Sequence, residues 1–202
     1  MSKSYLSLVT LIPALLAGVL QHAAGEEVRG VSTGFVQPLA PCRSAMPSKK
    51  LPQLGRDQWG MPFYHPRQMR RVVRTTAYTH SESDHIRYGV MSAAGTPLRY
   101  TDTVRSAAAD WSVYPLGTRF RIKGQPYTYV VDDYGTALTG TGTIDIYQPS
   151  RSLMRAWGRR IVEIEVLEWG SSLRSLETLT ARQRYKHCRQ MYAALLEQQR
   201  HR

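Results

Sequence analysis

At 202 residues, with 42% hydrophobic and 21% charged side chains, the chain has the makeup of a globular protein and room for one domain with extensions or two small ones. Its 27 Lys plus Arg against 15 Asp plus Glu leave a formal charge of +12, which suits polyanionic surroundings such as nucleic acid, anionic lipid or wall polymer. The basic residues are mostly dispersed arginines, without zinc-finger spacing, an RNA-recognition motif or a long lysine run, so nucleic acid is not expected as a partner.

Lys3 precedes an apolar run from Tyr5 to Leu20, the layout of a signal peptide. A cut after Gly25 leaves Ala23 and Gly25 as the small residues a peptidase reads, so residues 1–25 are expected to be a leader. A run of about 16 residues falls short of the ~20 that cross a bilayer. Residues 26–70 carry Pro38, Pro41, Pro47, Pro52, Pro62 and Pro66 and little periodicity, as a linker or extended arm does. The aromatics Phe35, Trp59, Phe63 and Tyr64 suggest that part of the arm lies on the domain. Cys42 and Cys188 lie outside any Cys-x-x-Cys or metal pattern. Both a long-range disulfide and two unrelated thiols fit them.

The ordered domain is expected over 71–169. It opens on a strand in Arg71–His80, rich in β-branched residues. The polar loop Ser81–His85 matches no helical ligand pair with His80, so no metal site is expected; these side chains order the loop or line a groove. Small-residue runs follow at Ser92–Gly95 and Ser106–Asp110, which permit close backbone approach. Tyr114-Pro-Leu-Gly117 is a turn leading into an alternating strand, Thr118–Lys123. A strand from Tyr127 to Val131 then runs into the acidic turn at Asp132, Asp133, Tyr134 and Gly135.

In the next strand Ile144 and Ile146 share one face, while Thr143, Asp145 and Tyr147 share the other, so Asp145 points away from the core. An aspartate in mid-strand works against β propensity, and such local violations are where function usually sits. A short helix from Pro149–Ser150 to Gly158 aligns Leu153, Met154 and Trp157. Ile161–Trp169 alternates again, with one wet face. Residues 170–202 read as a basic amphipathic helix, with Leu173, Leu176, Cys188, Tyr192, Leu195 and Leu196 on its apolar side. It suits packing on the domain or peripheral contact with anionic wall polymer or membrane. About six strands and one embedded helix in roughly 100 residues suit a closed or nearly closed barrel, though an open sandwich accommodates them too.

Thr76-Ala-Tyr78, Tyr88-Gly89, Ala94–Leu98, Ala108-Ala-Asp110, Tyr114–Thr118, Val131-Asp-Asp133, Gly140 and Ile144–Tyr147, in that order and spacing, resemble the three-aspartate (3D) domain. That domain also forms the catalytic part of the membrane-bound lytic transglycosylase A family and of stationary-phase survival muralytic proteins. The resemblance covers about Val72 to Leu167. It implies a mainly β fold, a six-stranded double-psi β-barrel with a short embedded helix and a C-terminal helix. The three acids fall on Asp110, Asp133 and Asp145. In the family the acid of the Ile-Asp-x-Tyr motif is the catalytic acid and base, which maps to Asp145, with the acid of the glycine-rich turn beside it, Asp133, so Asp145 and Asp133 are the catalytic residues the resemblance implies. Asp110, Asp132, Tyr78, Tyr134, Gly135 and Tyr147 are the expected supporting or substrate-binding residues, and Asp110, preceded by three alanines, is expected to hold psi loops. Tyr134 stands where the family has threonine and Thr136 where it has a second glycine, so a bulkier groove floor is expected. Nothing here matches the further domain that completes the groove in larger relatives, so a shallower cleft is expected.

The activity so implied is lytic cleavage of the β-1,4 bond between N-acetylmuramic acid and N-acetylglucosamine, without a cofactor, by a monomer secreted or periplasmic after leader removal. One carboxyl protonates the leaving oxygen and then takes the proton of the muramyl C6 hydroxyl. It must hold its proton near neutral pH, which burial or a neighbouring charge can arrange. A two-carboxylate hydrolase would flank the bond at ~5–9 Å instead. The alternative is a barrel that binds peptidoglycan glycan strands without cleaving them, and a third is three aspartates with a purely structural role.

Overall fold

Alternating inward and outward side chains build six strands: β1 (Arg70–Tyr78), β2 (Val104–Ala109), β3 (Arg119–Ile122), β4 (Thr128–Asp133), β5 (Ile144–Tyr147) and β6 (Arg160–Glu168). They close into a barrel in the order β1-β5-β2-β4-β3-β6. The pairs β1/β5 and β2/β4 are parallel and the rest antiparallel. This is the double-psi barrel the resemblance implies, and closure leaves no strand edge free. The computed structural model describes residues 54–83 and 85–200, all within one unit, Pro47–Arg202. The expected leader, Cys42 and the arm up to residue 53 lie outside the described residues.

Inside the barrel, Val73, Ala107, Ala109, Phe120, Ile122, Val131, Ile144, Ile146, Ile164 and Val166 form one apolar core. β2 is the strand the sequence reading did not name, because alanine is a poor strand former. Packing selects it here. β2 is hydrogen-bonded on both sides, to β5 and to β4, and Ala107 and Ala109 are fully buried against their neighbours.

Helix α1 (Arg151–Trp157) follows β5 and starts at Ser150, whose side chain accepts from the Leu153 amide. It stops at Gly158, whose φ of 61° places it in the left-handed region. The C-terminal segment is two helices rather than one: α2 (Ser172–Thr180) and α3 (Lys186–Arg200). A turn after Thr180 folds α3 back so that Leu176, Leu179, Cys188, Met191 and Leu195 join the barrel core. A single straight helix would leave half of that apolar stripe in water. Cys188 is buried and forms no disulfide among the described residues.

The start of α2 is pinned to the Tyr114–Gly117 turn. Leu116 donates its amide to Ser175 Oγ and accepts from the Ser171 amide, and at Gly170 the two backbones meet so closely that a Cβ would collide with the Pro115 and Leu116 carbonyls and the Thr118 nitrogen. Gly170→Ala is therefore expected to cost about 3 kcal/mol, lowering Tm by about 10 °C in thermal unfolding. Gly142→Ala, whose Cβ would find only the Pro62 oxygen at 4.0 Å, should shift Tm by less than about 3 °C.

Candidate active site

The outer face of β1, β5, β2 and β4 carries the acids. Register pairs Thr76 with Asp145, Asp145 with Ala108, and Ala108 with Asp133. Cross-strand partners share a face, so two carboxylates flank one methyl group. Since β2 separates β5 from β4, the two backbones stand ~10 Å apart, and the small Ala108 leaves the space between the acids open to longer side chains. One such side chain is Tyr78.

Tyr78 sits with Ala108, Leu138 and Tyr147 in a second apolar cluster outside the barrel core. Its hydroxyl donates to Asp133 Oδ2 at 3.1 Å. Burial holds its phenol well above the usual tyrosine range, and the charges of Asp133, Asp132 and Asp145 push it the same way. Tyr147 packs against Tyr78 at 5.6 Å between ring centres, and its hydroxyl is hydrogen-bonded to His80 Nδ1 at 2.8 Å. His85 also packs against Tyr78, with ring centres 5.7 Å apart.

Asp133 is only 5% exposed. Its Oδ1 accepts the amides of Ala93 at 3.0 Å and Tyr134 at 2.9 Å. Burial raises its pKa, while those two amides, His85 and Tyr78 oppose the rise. Asp132, the residue before it, falls at a register shift between Ala107 and Ala108. Such a bulge turns two successive side chains toward one side. Asp132 Oδ2 accepts from Ser106 Oγ at 2.6 Å. Burial first pushes its pKa up to about 6, with the Ser106 hydrogen bond opposing and the Asp133 charge adding to the rise. Asp145 is half-buried.

Not every expected site residue joins this row. Asp110 is 2% exposed and closes loops: Oδ1 accepts from the amide and hydroxyl of Ser112, and Oδ2 from the Gly140 amide at 2.6 Å. Gly135 begins the 3-10 turn Thr136–Leu138. Tyr134 does not form a groove floor. Its ring stands edge-on to Trp111 at 5.0 Å, and its hydroxyl accepts from Arg182 in the α2–α3 turn at 3.2 Å. Thr136 pairs with His187 Nδ1 at 3.2 Å. The two departures from the family pattern thus face the C-terminal helices, because Trp111 and α3 supply the apolar surface a tyrosine needs.

The roles of Ser106, His80 and His85 beside these acids were not legible from their positions in the chain, although the histidines' polar loop was read as lining a groove. A concavity of about 460 Å³ lined by Glu82, Ser83, Arg151, Met154 and Arg155 opens beside that loop. Among the described residues no group of three or more His, Cys, Asp or Glu side chains is placed to hold a metal ion.

The buried charge of Asp132 has a measurable signature. A carboxyl whose folded pKa is raised adds stability below the unfolded pKa near 4 that is lost as pH climbs through about 6. Asp132→Asn is therefore expected to stabilise the protein at pH 7, by up to about 3 kcal/mol, with the gain vanishing below about pH 4 when denaturant midpoints are compared across pH.

The model of the 3D domain matches residues 105–168. The chain is 33% identical over 96 residues to the putative cell wall shaping protein YabE of Bacillus subtilis (strain 168), a match covering 48% of this chain and 22% of that protein. Among solved structures it is similar to MltA from Escherichia coli, whose crystal structure reveals a unique lytic transglycosylase fold, at 27% identity over 41% of this chain and 28% of that one, TM-score 0.32. A second crystal structure of E. coli MltA matches at 28% identity over 40% of this chain and 28% of that one, TM-score 0.31. The chain spans about a quarter of the length of these relatives.

Proposed function

We propose that this barrel, which carries the 3D domain over residues 105–168, acts outside the cytoplasm on peptidoglycan as a lytic transglycosylase, with Asp145 as its acid and base. The observation that carries the proposal is the register that sets Asp145 and Asp133 on either side of Ala108 on one sheet face, with the Tyr78 hydroxyl donating to Asp133. Like charges gathered in a partly dry site favour retention of a proton on one of them. Asp145 is half-buried where Asp132 and Asp133 are buried, so it is the member of the trio nearest to a bound sugar.

In this reading Asp145 gives its proton to the glycosidic oxygen as the bond from the muramyl C1 breaks. The resulting carboxylate takes the proton of the C6 hydroxyl, whose oxygen closes on C1 to leave a 1,6-anhydro end. Asp133 does not touch the sugar. Held by two amides and a phenol, it is a fixed hydrogen-bond acceptor and a positioning residue for Tyr78. Tyr147, oriented by His80, completes the wall.

The same saturation of Asp133 favours a second reading, a module that holds glycan strands without breaking them, since it leaves one reachable acid rather than two. The cell-wall role in the name of the Bacillus relative fits either. Purified protein incubated with sacculi is expected to release 1,6-anhydromuropeptides, and Asp145→Asn to lower the release at least ~100-fold. Intact sacculi that nonetheless sediment with the protein would establish the binding module; reducing ends without anhydro sugar would establish a hydrolase.

A further inference from the structure

The arm before β1 carries an exposed tryptophan on a rigid tip. Trp59 is 51% exposed, although its own amide and those of Gly60 and Met61 are hydrogen-bonded. Asp57, buried at the base of the tip, accepts the amides of Trp59 and Met61 with Oδ1, both at 2.9 Å. Its Oδ2 accepts the Gly142 amide at 3.0 Å, three residues before Asp145. The Gly60 amide closes the tip on the Asp57 carbonyl, and Arg56 and Pro62 bridge its two sides. Tyr64 clamps the end of the arm on β1 by bonding both the amide and the carbonyl of Val72.

The indole is also fixed in orientation. The Arg74 guanidinium lies over its ring at 4.3 Å and donates to Thr143 Oγ1 at 3.3 Å. Arg74 is two residues before Thr76, the register partner of Asp145, and on the same strand face. The Arg74 backbone therefore stands ~7 Å along β1 from the Thr76–Asp145 pair, with the indole held against its guanidinium. A ring held in one orientation by its neighbours, with half its surface in water, offers a flat apolar surface at low entropic cost to a ligand.

We propose that Trp59 and Arg74 form a glycan subsite next to Asp145, in which the indole stacks on the C–H face of a pyranose ring and Arg74 attracts the carboxylate of an acidic amino sugar. The inference rests on the reading of the barrel as a peptidoglycan-acting one, but requires only that glycan binds, not that it is cleaved. It extends the site beyond the 3D domain, onto the arm.

The test uses the full chain carrying Asp145→Asn, so that nothing is turned over, and soluble peptidoglycan glycan strands stripped of peptide, with affinity read from tryptophan fluorescence or calorimetry. Adding Trp59→Ala should weaken binding about tenfold or more, Trp59→Phe should keep it within about threefold, and Arg74→Gln should weaken it and flatten its salt dependence. Tm should stay unchanged in the Trp59 variants. Equal affinity with and without Trp59, or no binding of the strands at all, overturns the subsite. Trp59-dependent binding by a protein that releases no anhydro sugar keeps the subsite and removes the proposed cleavage instead.

Discussion

The arrangement of this molecule depends on one narrow strand. β2 runs between β5 and β4 inside a closed barrel, and its three alanines are the condition for the flanking strands to deliver acids to one place. Ala107 and Ala109 face inward against Ile146, Val131 and Ile144. Larger side chains there would overfill a core already lined by β-branched residues. Ala108 faces outward between Asp145 and Asp133 and lets Tyr78 reach across to the latter. Closure makes this strict. A closed barrel has no edge along which a strand can slip, and a one-residue slip would turn every acid inward.

A second level of order comes from the bulge in β4. Two successive aspartates would ordinarily face opposite sides of a strand. The register shift lets Asp132 meet Ser106 while Asp133 meets Tyr78, the Ala93 amide and the Tyr134 amide. The cost is two buried carboxyls side by side, each held above the usual range by loss of water. A fold stores such strain where a site requires it. Around the site the chain's extensions act as braces. The arm is tied through Asp57 to the turn ahead of β5, and α2 and α3 grip the acidic turn through Tyr134 and Thr136.

Much of this was legible in the residues. The β-branched residues of Arg71–His80 and the alternation of Thr118–Lys123 and Ile161–Trp169 mark strands, and Ser150 and Gly158 set the limits of α1. Asp145 between two buried isoleucines marks its own place on the opposite face by contrast. Other features were not legible. Nothing in Ser-Ala-Ala-Ala announces a strand, since its only qualification is smallness between two neighbours not adjacent in sequence. Tyr134 beside the acids looked like part of a groove, yet its ring follows the nearest apolar surface, which α3 brings from more than 50 residues away. The fold-back between α2 and α3 was likewise hidden, because a stripe of leucines says that a face is buried but not against what.

By itself the sequence determined five of the six strands, where chain reversals fall, and that one acid stands in mid-strand against its local preference, because these follow from backbone sterics and the period of apolar residues. Only the tertiary structure decided which strands lie next to each other, and hence that Asp145 and Asp133 share Ala108, that Asp110 serves a loop, and that Trp59 overlooks the same face. Those are relations between residues tens of positions apart. They are set by barrel closure and by the satisfaction of buried polar groups, which no local pattern encodes.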